Sequence, residues 1–391
     1  MRPIRDDVKV NRVREIIRRE GIEALVSHVP ENVTYLSGAW CGRGLSYVVF
    51  PLEGDPILIL PTGEMLPETW VSEIRRYATE THQHLGRPLD AAAEKIREAL
   101  VDLGIVSGRI GVEQVWHLFL ATTIRYEMDI IDERALIRKL PAYSVKDSSA
   151  LLIEARSIKT AEEIRALRNA SHIAQIGLDT FSRNLKANLT EIELSAKIEH
   201  EIITQGVVKH RASRVLACAS VASGPLTVEG YKDLVGNTRR KLRPHDLVML
   251  ELDVTVDGYS SDTTRTLVVG KPNKKQRALF DAVLDSQTTA ISAIRPGVRA
   301  AEIAGLSNDI IRRHGFYDYL VHRLGHGVGV SPHEAVPTLH VESKDILEPG
   351  MVHSVEPGIY GAKIGGVRIE DVILDTRTGA EYLSEFPRVP E

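Results

Sequence analysis

The chain has 391 residues, 43% of them hydrophobic and 26% charged, with a formal net charge of −4; this suits a two-domain globular protein with a real core. No Lys/Arg block marks a nucleic-acid partner, no apolar run could span a bilayer, and the charged start MRPIRDDVKV lacks the apolar stretch of a secretory signal. The two cysteines, Cys41 and Cys218, lie far apart without a CxxC pattern, which argues against a disulfide scaffold or a zinc-thiolate site and for the cytoplasm.

Residues 1–155 read as a small α/β domain. Val10, Val13, Ile16 and Ile17 fall at helical spacing among charged residues, predicting an amphipathic helix that Gly21 ends. ALVSHV follows as a short buried strand, and SYVVFPLEGDPILILP as a β-hairpin turning at Glu53-Gly54-Asp55. Ala91, Ile96, Ala99 and Leu100 predict a helix over 88–103 that stops at Gly104, and GRIGVE is a further strand. There is no internal repeat and no low-complexity linker.

Residues 156–391 begin with a long helix. Thr160 and Glu163 have capping-box spacing, and Ile164, Leu167, Ile173 and Ile176 continue one apolar face. Thr190 with Glu193 starts a second helix through Leu194, Ile198 and Ile202 in the same way. LVMLELDVTVDGYSSDTTRTLVV then reads as two strands joined at Asp257-Gly258. Helices over 276–294 and 300–313 follow, and 320–383 is a series of β-like runs broken by Gly and Pro. Helices alternating with antiparallel hairpins predict an α+β domain.

Three segments carry chemistry. With a two-residue turn at Asp257-Gly258, Asp253 falls opposite Asp262, and Glu251 lies on the same face, diagonal to Asp262. Like charges across strands repel, so this is either a solvated hairpin face or a site for a divalent cation. In GHGVGVSPHE, alternate glycines let backbone approach closely, so that His326 can point into a crowded site, and His333 follows. After a turn at 348–350 come Glu356 in SVEPG and then GGVRIED, where Arg368 and Glu370 face opposite to Val367 and Ile369. Glu370 beside Arg368 also reads as a plain buried salt bridge. Together, four or five carboxylates and an imidazole suit two divalent ions, Mn²⁺, Co²⁺, Fe²⁺ or Zn²⁺, which can share a water, lower its pKa and polarise a scissile carbonyl.

The order carboxylate, SDTTRT, GHGVG-x-x-x-HE, VEPG, GGVRIED resembles the pita-bread metallopeptidase family that includes aminopeptidase P, prolidase and methionine aminopeptidase, over essentially all of 160–385. NVTYLSG is similar to the creatinase-type N-terminal domain. The resemblance implies that Asp262 and Glu370 bridge two metals, that Glu251 completes the first shell, and that His326 and Glu356 bind the second ion. It further implies that His333 hydrogen-bonds the substrate or tetrahedral intermediate, that Glu356 helps move protons, and that Arg368 orients Glu370.

Two departures stand out. Glu251 occupies a position that is normally Asp, and Asp253 one that is normally Gly, so Asp253 is a further candidate ligand. Tyr231, or equally Leu234, falls where the peptidases usually carry a His, so Tyr231 is a candidate catalytic residue. Creatinase itself has lost its metal ligands, whereas Asp262, His326, Glu356 and Glu370 are kept here. The expected activity is hydrolysis of an Xaa-Pro or similar small amide bond. The alternatives are a creatinase-like amidinohydrolase, a small-osmolyte hydrolase or lyase, and an inactive binding relative. The resemblance also implies a homodimer in which each N-terminal domain borders the partner's active site, with Tyr35 and Trp40 as candidate substrate contacts.

Overall fold

The computed structural model describes residues 4–41, 45–81, 84–85, 87–114, 133–232, 235–384 and 386–388. The chain divides into two units, Met1–Arg156 and Ser157–Glu391.

In the first unit the opening helix, Asp7–Arg19, is capped by the Asp6 side chain and buries Val10, Val13, Ile16 and Ile17, the stripe predicted from spacing. Six strands form one mixed sheet in the order Glu73–Tyr77, Ile57–Pro61, Tyr47–Pro51, Ala24–Ser27, Gly108–Val112, Tyr143–Asp147. Its hairpin pairs Tyr47 with Ile59, and its core packs Val26, Val49 and Ile59 against Ile96 and Leu100 of the helix Pro88–Asp102. NVTYLSG lies in the helix Pro30–Ser37, which ends on left-handed Gly38. Tyr35 of that helix is wholly buried, its hydroxyl donates to the Ala155 carbonyl at 2.7 Å, and Lys9 sits 4.8 Å over its ring. Tyr35 is therefore a core residue and not the substrate contact expected; Trp40 is half-buried.

In the second unit both capping boxes form, starting the helices Ala161–Asn184 and Glu191–Val208. The predicted hairpin is Leu247–Val256 with Tyr259–Val268, and a strand the sequence reading missed, Val215–Ser223, completes a three-stranded sheet. The apolar faces of the two helices cover this sheet: Ile173, Leu178, Leu194 and Ile198 pack on Leu250, Leu252 and Val254. Helices Lys274–Ala293 and Ala300–Arg313 follow. A five-stranded sheet in the order Glu334–Leu339, Gly325–Gly327, Val352–Val355, Asp371–Asp375, Ala380–Tyr382 stands beside the small pair Gly358–Gly361 and Gly365–Arg368. No helix among the described residues is long and apolar enough to cross a membrane.

Candidate metal centre

The Asp257-Gly258 turn has positive φ at both residues, 50° and 93°, the conformation whose twist matches its strands. It sets Asp253 opposite Asp262 and Glu251 opposite Thr264, and the pleat puts all four side chains on one face. Glu370 arrives where the chain crosses from the strand Gly365–Arg368 to Asp371–Asp375. Its backbone is clamped there: Glu370 N donates to the Thr264 carbonyl at 3.1 Å, and its own carbonyl accepts from Arg265 at 2.5 Å. Arg265 is wholly buried and paired with Asp371 at 2.5 Å. Val367 and Ile369 point into the apolar core, as strand alternation predicts.

His326 lies on a strand too crowded for side chains at its neighbours: a Cβ at Gly325 or Gly327 would collide with the backbone of Ser354 or Val336. His326 Nδ1 donates to the Gly327 carbonyl at 3.1 Å, which leaves a lone pair on Nε2. That lone pair faces Glu356 Oε1 at 3.2 Å and Asp262 Oδ2 at 3.6 Å. Burial, and then the charge of Arg323, lowers the imidazole pKa to about 3, so it is neutral. A lone pair aimed at two carboxylates is repulsive unless a cation or a proton sits among them.

The carboxylates carry the same signal. Asp262 is wholly buried, and neither of its oxygens meets a hydrogen-bond donor among the described residues; Glu370 Oε1 is in the same position. Burial, and then the charges of Glu370, Asp253 and Glu356, push the Asp262 carboxyl well above its ordinary range. Burial and Glu356 push Glu370 up to about 8, and burial raises Glu356. Buried acceptors without donors are costly, and hard divalent cations satisfy such oxygens. Three overlapping groups bring their candidate ligand atoms within 4.8 Å of one another: Glu251, Asp262 and Glu370; His326, Glu356 and Glu370; Asp262, His326 and His333. The donor set fits divalent metal.

His333 has its Nε2 3.7 Å from Asp262 Oδ2 and its ring 4.1 Å from that of His326, with the side chain 29% exposed. Glu251 is ion-paired with Arg368. Arg368, expected to orient Glu370, acts on it by its charge and through Thr264, whose Oγ1 lies 2.8 Å from Arg368 Nε, 2.6 Å from Glu251 Oε2 and 2.7 Å from Glu370 Oε2. Asp253 belongs to none of the three groups. Tyr231 is 36% exposed, with its ring edge-on to Tyr360 at 5.2 Å; Leu234 lies outside the described residues.

The sequence reading missed His322. Its Nδ1 donates to the Arg323 carbonyl at 2.7 Å, and its Nε2 accepts from the Tyr360 hydroxyl at 3.0 Å, which in turn accepts from Arg368 Nη1 at 3.2 Å. The available signal was its spacing four residues before His326, which shares a face in an extended chain.

Residues 165–377 match the model of metallopeptidase family M24, and residues 9–158 that of the creatinase/prolidase N-terminal domain. YkvY of Bacillus subtilis is 30% identical over 386 residues, covering 97% of this chain and 98% of that protein. An Xaa-Pro dipeptidase of Pyrococcus horikoshii is 31% identical over 380 residues, 97% of each. Among solved structures, the prolidase from Pyrococcus horikoshii OT3 aligns with a TM-score of 0.76 at 26% identity, covering 97% of this chain and 99% of that chain. The Xaa-Pro dipeptidase from Bacillus anthracis aligns with 0.77 at 26% identity, covering 98% and 99%. The fold and site define a pita-bread metallopeptidase domain preceded in the chain by a creatinase-type domain. The chain belongs to metallopeptidase family M24.

Proposed function

We propose that the chain hydrolyses an Xaa-Pro or similar small amide bond with up to two divalent ions. The observation that carries this reading is the neutral His326 lone pair facing the carboxylates of Asp262 and Glu356. Asp262, His326 and Glu370 each belong to two of the groups, and of these the carboxylates, with two oxygens apiece, would bridge the ions; Glu251 would complete one shell, and His326 with Glu356 the other. Mn²⁺, Co²⁺, Fe²⁺ or Zn²⁺, when bound, would supply the Lewis acidity that activates water and polarises the scissile carbonyl. His333, on the open side, donates a hydrogen bond to the substrate oxygen as charge builds on it. Glu356 accepts a proton from the attacking water and returns it to the leaving nitrogen.

The names of the relatives, Xaa-Pro dipeptidase and prolidase, support this substrate class. Tyr231, or equally Leu234, where the peptidases usually carry a His, and Glu251 held by Arg368, favour a second reading: a creatinase-like amidinohydrolase or an osmolyte hydrolase or lyase. An inactive binding relative is disfavoured by the retained Asp262, His326, Glu356 and Glu370. A screen of Xaa-Pro dipeptides and tripeptides against creatine-like and osmolyte substrates, with each of the four metals, separates these readings. Turnover confined to the non-peptides would overturn the first. By analogy with creatinase-type proteins, we also propose a homodimer, and from the sparse, widely spaced cysteines Cys41 and Cys218, which form no CxxC pattern, a cytoplasmic location. A fully active monomer in sedimentation would remove the dimer.

A further inference from the structure

Behind His333 lies a buried ion pair that the chemistry above does not use. Lys159 Nζ sits 3.0 Å from Glu334 Oε2, with the two side chains 1% and 5% exposed. The other Glu334 oxygen accepts from Val330 N at 3.1 Å, so the carboxylate folds back into its own loop. Gly329 makes room for it, since a Cβ there would collide with the Glu334 carboxylate. The same loop is pinned to the carboxylate hairpin, where Ser260 N donates to the Gly329 carbonyl at 2.8 Å. Lys159 is itself held by its backbone N, which donates to the Gly350 carbonyl at 2.8 Å. His333 immediately precedes Glu334, and its direction follows from how that loop closes.

A buried ion pair is a poor source of net stability, because well-packed apolar residues often do as well. What it supplies is direction: the carboxylate has one place to go, and the loop must follow. We propose that Lys159 is a positioning residue, which through Glu334 fixes the 328–333 loop and so aims His333 at Asp262. The effect on turnover rests on the peptidase reading; the geometric part does not. A misplacement of about 1 Å at a reacting group costs about a hundredfold, so a loss of that order is expected.

The experiment is a double-mutant cycle on Zn²⁺-loaded protein, with histidine-ring NMR of the same samples. Lys159→Met should lower kcat on an Xaa-Pro peptide about tenfold to a hundredfold with metal content unchanged, and Lys159→Arg should restore most of it. In a His333→Ala background, Lys159→Met should cost little more. The His333 ring resonance, assigned by its loss in His333→Ala, should shift or broaden in Lys159→Met. Equal losses in both backgrounds, loss of metal together with activity, or an unmoved His333 resonance would overturn the proposal. Should Lys159→Met not fold, Lys159→Met/Glu334→Gln leaves no buried charge and carries the same readouts. If the parent turns over no peptide with any of the four metals, the peptidase reading fails, and the His333 resonance alone decides this one.

Discussion

Arg368 is ion-paired with Glu251, not with its near neighbour Glu370. Glu251 carries one more methylene than the Asp usual in the family, and that length lets its carboxylate meet both Arg368 and the Thr264 hydroxyl. Any metal that uses Glu251 must compete with a guanidinium. At Asp262, Glu356 and Glu370 burial dominates and raises the carboxyls, with the Arg368 charge offsetting part of the rise at Glu370.

Calorimetric titration with Mn²⁺ should therefore show one tight step and one at least about tenfold weaker, the size of effect that outer-shell partners exert. Glu251→Ala should remove the weak step and spare the tight one. Two steps of equal affinity would show that Arg368 does not hold Glu251 back.

Stability of the metal-free protein should fall as pH rises from about 6.5 to 8. With Glu370 pushed up to about 8 and Asp262 and Glu356 raised, the native state keeps protons that the unfolded chain has already released. His353 acts in the same direction: burial pulls its pKa down, but Asp375 at 3.0 Å raises it overall. His326, lowered to about 3, opposes them only below its unfolded value near ~6.5. Each retained proton makes stability fall by about 1.4 kcal/mol per pH unit. Thermal unfolding in chelator across this window checks the sign, and saturating Mn²⁺ should remove the carboxylates' share of the trend while leaving that of His353. A midpoint that rises with pH in chelator would contradict it.

Tyr231 meets Tyr360 ring to ring, a contact phenylalanine can keep. Tyr231→Phe should therefore leave peptide turnover within about twofold, a ring contact being worth only ~0.5–1.5 kcal/mol beyond its burial. A phenol holds its proton at neutral pH and is a poor shuttle, so Tyr231→His should raise peptide turnover. If Tyr231→His instead abolishes activity on a non-peptide and gains none on peptides, the second functional reading stands. Equal rates for all three proteins would deny the residue a chemical role.

Much of this architecture was legible because local rules acted alone. The capping boxes at Thr160 and Thr190, and the register set by Asp257-Gly258, need only neighbours within a few residues. The candidate donors Glu251, Asp262, His326, Glu356 and Glu370 could be proposed from sequence because their types and order repeat a known pattern. The partner of Arg368 was not legible, since both Glu251 and Glu370 are within its reach and only the packed geometry decides between them. His322 and the Lys159–Glu334 pair escaped for a related reason: each depends on a contact between segments distant in sequence. Tyr35 misled because an aromatic in a recognisable segment suggests a contact surface, while its hydroxyl is spent on the backbone of Ala155.

The central claim is that His326 and the buried carboxylates form a metal centre. Elemental analysis of the purified parent and of His326→Ala, each equilibrated with Mn²⁺ and freed of excess, tests it most directly. The parent should retain stoichiometric divalent metal, and His326→Ala should retain markedly less. Undiminished metal content in His326→Ala, or none in the parent, would contradict the account.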